Sequence, residues 1–205
     1  MTIHPAAGAL LAYVAGSIPA AYIAGRSRGV DLRRHGSGNL GATNVVRTLG
    51  WKIGLVVFLF DAAKGALPVL FLPPITASTL SPQSLGILYG LAAILGHARP
   101  LFLGLRKGGK GVATSAGVFA ALAPVALLVA FSVFVVLLLA TGYVSLGSLV
   151  SATVLPFVLA YTHGVRSPVF GVSVLLVAFV FWTHRANIAR LRRGEEHRFG
   201  RKAAS

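Results

Sequence analysis

Three polar stretches of this chain carry side chains that could do chemistry. The first is Gly36-Ser37-Gly38-Asn39-Leu40-Gly41-Ala42-Thr43-Asn44-Val45-Val46-Arg47. Its glycines let the backbone turn tightly and aim N–H groups inward. Ser37, Asn39, Thr43 and Asn44 add side-chain donors, and Arg47 adds a rigid cationic fork. Such a stretch suits an anion, above all a phosphate. The second, Arg106-Lys107-Gly108-Gly109-Lys110-Gly111-Val112-Ala113-Thr114, again combines glycine with positive charge. The third runs from His184 through Asn187, Arg190 and Gly194 to Glu195 and Glu196. It places His184, Asn187 and Leu191 on one helix face at i, i+3, i+7. Two glycine-rich cationic loops suit two anionic groups held close together. A small phosphorylated acceptor and an activated acyl donor meet that description. A hydroxyl would attack the acyl carbonyl while Lys and Arg neutralise phosphate and leaving group and backbone amides hold them.

The elements that must position these stretches are membrane helices. Of 205 residues only 11% are charged, against about 25% in a soluble domain, and the mean hydropathy is +0.80. Apolar runs recur from end to end, so the chain is predicted to be an all-α polytopic membrane protein with 1–205 as a single integral-membrane domain. No cysteine is present, which excludes disulfides, a thiolate metal site and a cysteine nucleophile. The first apolar run, 6–25, has no basic region before it and is read as a retained span. Gly16, Ser17 and Pro19 within it mark a kink or a close helix contact. The second span, 51–72, carries Asp61 and Lys64 at i, i+3. These are either a structural ion pair or a pair that orients the phosphate cradle. Residues 85–96 form a short apolar helix.

From 112 to 182 the chain is almost continuously apolar, with breaks at Pro124, at Thr141-Gly142 and at 163–168. If Pro124 divides a helix, seven transmembrane helices result, with the N-terminus external and the C-terminus cytoplasmic. All but Lys64 and Arg166 of the 19 Lys and Arg then fall within or beside internal segments. The fallback is five spans with fused or re-entrant segments. The net charge of +15 is thereby assigned to topology and to an anionic substrate; no nucleic-acid partner is expected.

Two motifs resemble something else. Gly36-x-Gly38-x-x-Gly41 matches a dinucleotide fingerprint, but a membrane helix stands where a strand is required. Gly104-x-x-x-x-Gly109-Lys110 matches most of a nucleotide-binding loop, but Gly111 occupies the magnesium-binding Ser/Thr position. The six histidines lack ligand spacing, so no metal and no cofactor are expected. No His is followed five residues later by Asp, which excludes one large acyltransferase signature.

The chain resembles the PlsY family, the bacterial membrane-integral acyl-phosphate:glycerol-3-phosphate acyltransferases. The likeness rests on Ser17-Ile18-Pro19, on 36–47, on Lys-Gly-Gly-Lys-Gly-Val-Ala-Thr at 107–114, and on His-Arg-Ala-Asn-Ile-Ala-Arg-Leu at 184–191 with Gly194 and Glu195. Asp61-x-x-Lys64-Gly65 and Gly96-His97-x-x-Pro100 fit as well. The resemblance implies acyl transfer from acyl phosphate to the 1-hydroxyl of glycerol 3-phosphate, giving lysophosphatidate and inorganic phosphate. It implies seven membrane helices in the bacterial inner membrane, an active site facing the cytoplasm, and contact with membrane lipid. It also implies a functional link to an enzyme that forms acyl phosphate.

Carried over residue by residue, Ser37 and Arg47 would hold glycerol 3-phosphate or position its hydroxyl. Gly38, Asn39, Gly41, Ala42, Thr43 and Asn44 would cradle acyl phosphate. Lys110, flanked by Gly108, Gly109, Gly111 and Thr114, would bind phosphate and stabilise developing charge. His184 and Asn187 would hold the acceptor, and Glu195 would order the third motif. Leu40 stands where the family often has proline. Ser37, Lys110 and His184 are the expected catalytic residues.

For the base, His184 and a substrate phosphate oxygen are the two candidates. No buried Asp–His pair is visible in the sequence, which favours substrate-assisted catalysis over a covalent Ser37 intermediate. Two rivals use the same features. One is an anion transporter, which needs access from both faces. The other is a scaffold that binds anionic lipid through its basic loops.

Overall fold

The computed structural model describes residues 2–199. They are helical throughout apart from turns and one isolated bridge between Ile3 and Thr76. Two compact units divide at Leu122 and Ala123.

In the first unit, α1 (Pro5–Gly16) and α2 (Ala20–Arg26) are separated by Ser17-Ile18-Pro19. The expected span over 6–25 is thus one crossing segment, Pro5–Arg26, interrupted at the expected kink. Pro19 offers no N–H to continue the helix, and Ser17 turns its Oγ back onto the Tyr13 carbonyl at 2.8 Å. After a loop come α3 (Ala42–Leu49), α4 (Trp51–Phe71), α5 (Pro82–Ala98) and α6 (Val112–Leu122). α1 packs on α5, and α4 packs on α6. Both crossings depend on close backbone approach. A methyl group on Gly16 would strike the Ala93 carbonyl, and one on Gly65 would strike the Thr114 carbonyl. Small residues at crossings and large ones outside are the arrangement lipid favours, since burying Leu against Leu gains little where the solvent is itself apolar.

The second unit contains α7 (Pro124–Thr141), α8 (Val144–His163), α9 (Pro168–Thr183) and α10 (Arg185–Arg193). The break at Pro124 is present, with proline at the first position of α7, where its missing N–H costs nothing. Gly142, at φ +75°, ends α7 in the left-handed conformation. Here too the exterior is apolar: Leu139 is 81% and Tyr161 92% exposed, while Ser145, Gly147 and Ser148 are buried.

By length and composition five segments can cross a membrane: Pro5–Arg26, Trp51–Ile75, Pro82–Leu103, Pro124–Thr141 and Val144–His163. Pro168–Thr183 becomes a sixth when joined to Arg185–Arg193 across a 60° bend. The bend has a chemical cause, because four arginines in α10 oppose continuation through hydrocarbon. Val112–Leu122 has 11 residues and is about 16 Å long, roughly half the hydrocarbon thickness.

Candidate active site

The first glycine-rich stretch is an open loop leading into α3. It is shaped by one buried side chain. Asn44 Oδ1 accepts from the Ser37 amide at 2.9 Å, and Nδ2 donates to the carbonyls of Leu32 at 3.2 Å and His35 at 3.0 Å. A single carboxamide thus fixes three points of the loop. Gly36, at φ +60°, sits so close to Asn44 Oδ1 that no side chain fits. Asn44 is 1% exposed. It was expected to bind substrate; its position is that of a residue that sets the loop's shape.

Around this core the loop is accessible. Ser37 and Gly38 are exposed, and Asn39, Gly41, Ala42 and Thr43 are half-buried. Ser37 Oγ makes no hydrogen bond to another described residue. Arg47 lies half-buried in the last turn of α3. Upstream, Arg33 is engaged: its Nε and Nη2 grip both oxygens of Asp31 at 2.9 and 2.8 Å, and its guanidinium stacks over Tyr22. The Arg33 hydrogen bonds hold the Asp31 carboxyl well below the usual carboxylate range.

The second stretch meets the first in the same unit. The Gly108 amide donates to the Ala98 carbonyl at 2.9 Å, and the Gly109 amide to the His97 carbonyl at 3.3 Å. A methyl on Gly109 would lie 2.9 Å from the Leu40 carbonyl, so the two loops touch there. Gly111, at φ +82°, turns the chain into α6. Lys110 is half-buried, whereas Thr114 is fully buried on α6 against Gly65. Thr114 therefore belongs to a helix crossing rather than to the loop.

Beneath the loops lies the Asp61–Lys64 pair read from the sequence, with a histidine that sequence reading did not join to it. Asp61 pairs with Lys64 at 2.8 Å and faces His97 Nδ1 at 3.5 Å, all three buried. A buried Asp–His pair exists after all. It joins α4 to α5 across 36 positions of sequence, and only the fold brings the two together.

The third stretch belongs to the second unit. His184 ends α9 and is buried. Its Nδ1 lies 2.8 Å from the Val180 carbonyl, so in the neutral ring Nδ1 carries the proton and Nε2 the lone pair. Asn187 Nδ2 donates to Glu196 Oε1 at 2.6 Å, as does Ser145 Oγ at 2.9 Å, and Arg190 Nε reaches Oε2 at 2.7 Å. Burial raises the Glu196 pKa, but the bonds from Asn187, Arg190 and Ser145 outweigh it and hold the carboxyl below its ordinary value. Glu195, expected to order this motif, is instead exposed and paired with Arg193. The left-handed Gly194 (φ +71°) reverses the chain, so the following acid but one turns inward.

Residues 6–194 match the family model described as glycerol-3-phosphate acyltransferase. The chain belongs to that family. A glycerol-3-phosphate acyltransferase of Geobacter metallireducens is 49% identical over 189 residues, covering 92% of this chain and 94% of the relative. One from Thermus thermophilus is 47% identical, covering 94% of each. The crystal structure of PlsY, an integral membrane glycerol 3-phosphate acyltransferase, in its glycerol 3-phosphate form superposes with a TM-score of 0.85 at 40% identity, over 96% of both chains. Its lysophosphatidic acid form gives 0.82 at 39% identity, over 96% of this chain and 95% of that one. The chain is thus a glycerol-3-phosphate acyltransferase of the PlsY type, a multi-pass membrane enzyme.

Proposed function

We propose that the chain transfers a fatty acyl group from acyl phosphate to the 1-hydroxyl of glycerol 3-phosphate, yielding lysophosphatidate and inorganic phosphate. The observation that carries this reading is the contact of two glycine-rich cationic loops at Leu40 and Gly109. It brings together, within one unit, two loops whose composition suits two phosphate-bearing substrates. The family match runs through both units, which supports one acyltransferase domain over 1–205. Seven spans, an external N-terminus and a cytoplasmic site in the inner membrane complete the proposal, supported by the charge asymmetry of the sequence.

In the proposed reaction the acceptor hydroxyl oxygen attacks the acyl carbonyl carbon. The carbon–oxygen bond to phosphate breaks, and the phosphate leaves with that electron pair. The hydroxyl proton passes to a phosphate oxygen, so no protein base is consumed. Ser37 and Arg47 would hold the acceptor. Asn39 to Thr43 and Gly111 would offer backbone amides, those of Gly38, Gly108 and Gly109 being taken by the carbonyls of His35, Ala98 and His97, and Lys110 would neutralise charge that grows on the leaving phosphate.

The test is phosphate release from purified protein in detergent or lipid, given acyl phosphate with and without glycerol 3-phosphate. Acceptor-dependent release that disappears in Lys110→Ala is the expected result. Acyl transfer from acyl-CoA with release of the free CoA thiol, and none from acyl phosphate, would overturn the choice of donor.

A further inference from the structure

A mutual ion pair between Asp61 and Lys64 explains neither the histidine beside it nor the glycines pressed on that histidine. Each member of the group has a second contact. Lys64 Nζ donates to the Ile18 carbonyl at 2.8 Å, inside the break between α1 and α2. His97 turns Nδ1 towards Asp61 and lays Nε2 against Gly109, where a methyl group would collide with it. The His97 and Ala98 carbonyls receive the amides of Gly109 and Gly108. A cavity of about 10 Å³, bordered by Leu40, Asp61, Lys64, His97 and Gly109, lies between these groups. It has room for about one water molecule.

The cost of this arrangement argues for a purpose. A buried ion pair is weak support for stability compared with well-packed apolar side chains, so its value lies in fixing one geometry. The geometry at stake is that of the second loop. Three glycines around Lys110 give it wide conformational freedom, and freedom is what a phosphate-stabilising lysine must not have.

We propose that Asp61, Lys64 and His97 are positioning residues for acyl transfer. Asp61 orients the His97 ring, and the ring carries the Gly108–Gly111 loop at a fixed separation from Leu40. Lys64 neutralises Asp61 and ties the Ser17–Pro19 break to the same centre. The kinetic consequence rests on the acyl-transfer reading above; the structural one does not.

The test uses the natural absence of cysteine. A nitroxide attached at Lys107→Cys, an exposed position in the loop, reports loop mobility without turnover. Kinetics are measured on the unlabelled enzyme. In His97→Ala the label is expected to become mobile, and kcat to fall about 100-fold while KM for glycerol 3-phosphate changes less than about threefold. His97→Asn keeps an amide donor where Nδ1 stood but lacks the ring atoms against Gly109, so it recovers part of the immobile spectrum, through the backbone carbonyl at 97 that receives the Gly109 amide, and about tenfold of the kcat lost in His97→Ala. His97→Gln does not. An unchanged spectrum and kcat in His97→Ala would overturn the proposal. So would equal losses in the Asn and Gln variants, which would mark His97 as packing alone. If His97→Ala does not fold, the order of Asn over Gln decides, and the reverse order refutes it. If the wild-type enzyme released no phosphate from acyl phosphate, the functional reading would fall, and the label spectra would still decide the positioning.

Discussion

Asn187 Nδ2 lies 2.6 Å from Glu196 Oε1, within a cluster that also draws in Ser145 and Arg190. One carboxylate thereby ties α10 to α8 within the second unit. Glu196→Ala removes the acceptor of three hydrogen bonds, two of them from buried residues. A loss of about 2–3 kcal/mol follows, read as a lowered Tm in detergent. Glu195→Ala breaks only an exposed pair with Arg193 and should cost under about 0.5 kcal/mol. Equal effects of the two substitutions would remove Glu196 from its assigned place.

The same carboxylate makes a pH prediction. Its folded pKa lies below the ordinary glutamate value of 4.5. The stabilisation is therefore complete above that value and is lost as pH falls through the lower, folded one. Glu196→Gln cannot titrate. The stability gap between wild type and Glu196→Gln should stay constant above pH 4.5 and close below it. Thermal unfolding across an acid series measures this, and a gap that persists at the acid end would contradict the assignment.

Asn44 offers a sharper test of loop shape. Asn44→Asp preserves size and the oxygen that receives the Ser37 amide, but replaces the donor to the Leu32 and His35 carbonyls with a second acceptor. Two carbonyls then face an oxygen, which should cost about 1–3 kcal/mol and disorder the cradle. Activity should fall about 100-fold or more, with Asp at least as damaging as Ala. A fully active Asn44→Asp enzyme would show that the loop is held by something else.

How much of this was legible in the sequence follows from where the signals lie. The break at Pro124 and the turn at Gly142 announced themselves, because proline and glycine act on the local backbone. The glycine-rich loop was visible as composition: three glycines, short polar side chains and an arginine within 36–47. Which of those side chains faces a ligand was not visible. Asn44 and Ser37 read alike as donors, yet one is buried under the loop and the other lies on its surface. Likewise Glu195 and Glu196 differ only in which side of a left-handed glycine turn each emerges from. Asp61 and Lys64 stood out as charges in an apolar helix, but their partner His97 comes from α5, and no local spacing records that meeting.

The exposure of Ser37 bears on mechanism. A nucleophilic serine needs a base within hydrogen-bond reach, and Ser37 Oγ has no hydrogen bond to any described residue. His97, the histidine of the first unit paired with an acid, is buried with Nδ1 towards Asp61 and Nε2 against Gly109. A covalent acyl-serine is therefore disfavoured, and attack by the acceptor hydroxyl in a single displacement is expected. Rapid mixing of enzyme with acyl phosphate alone should give no burst of phosphate stoichiometric with enzyme. Glycerol 3-phosphate should be required from the first turnover. Ser37→Ala should then slow the reaction by weakening placement of the acceptor, by about 10- to 100-fold, without changing that requirement. A burst of one phosphate per enzyme, abolished in Ser37→Ala, would instead establish an acyl-enzyme and leave the source of the serine's base to be found.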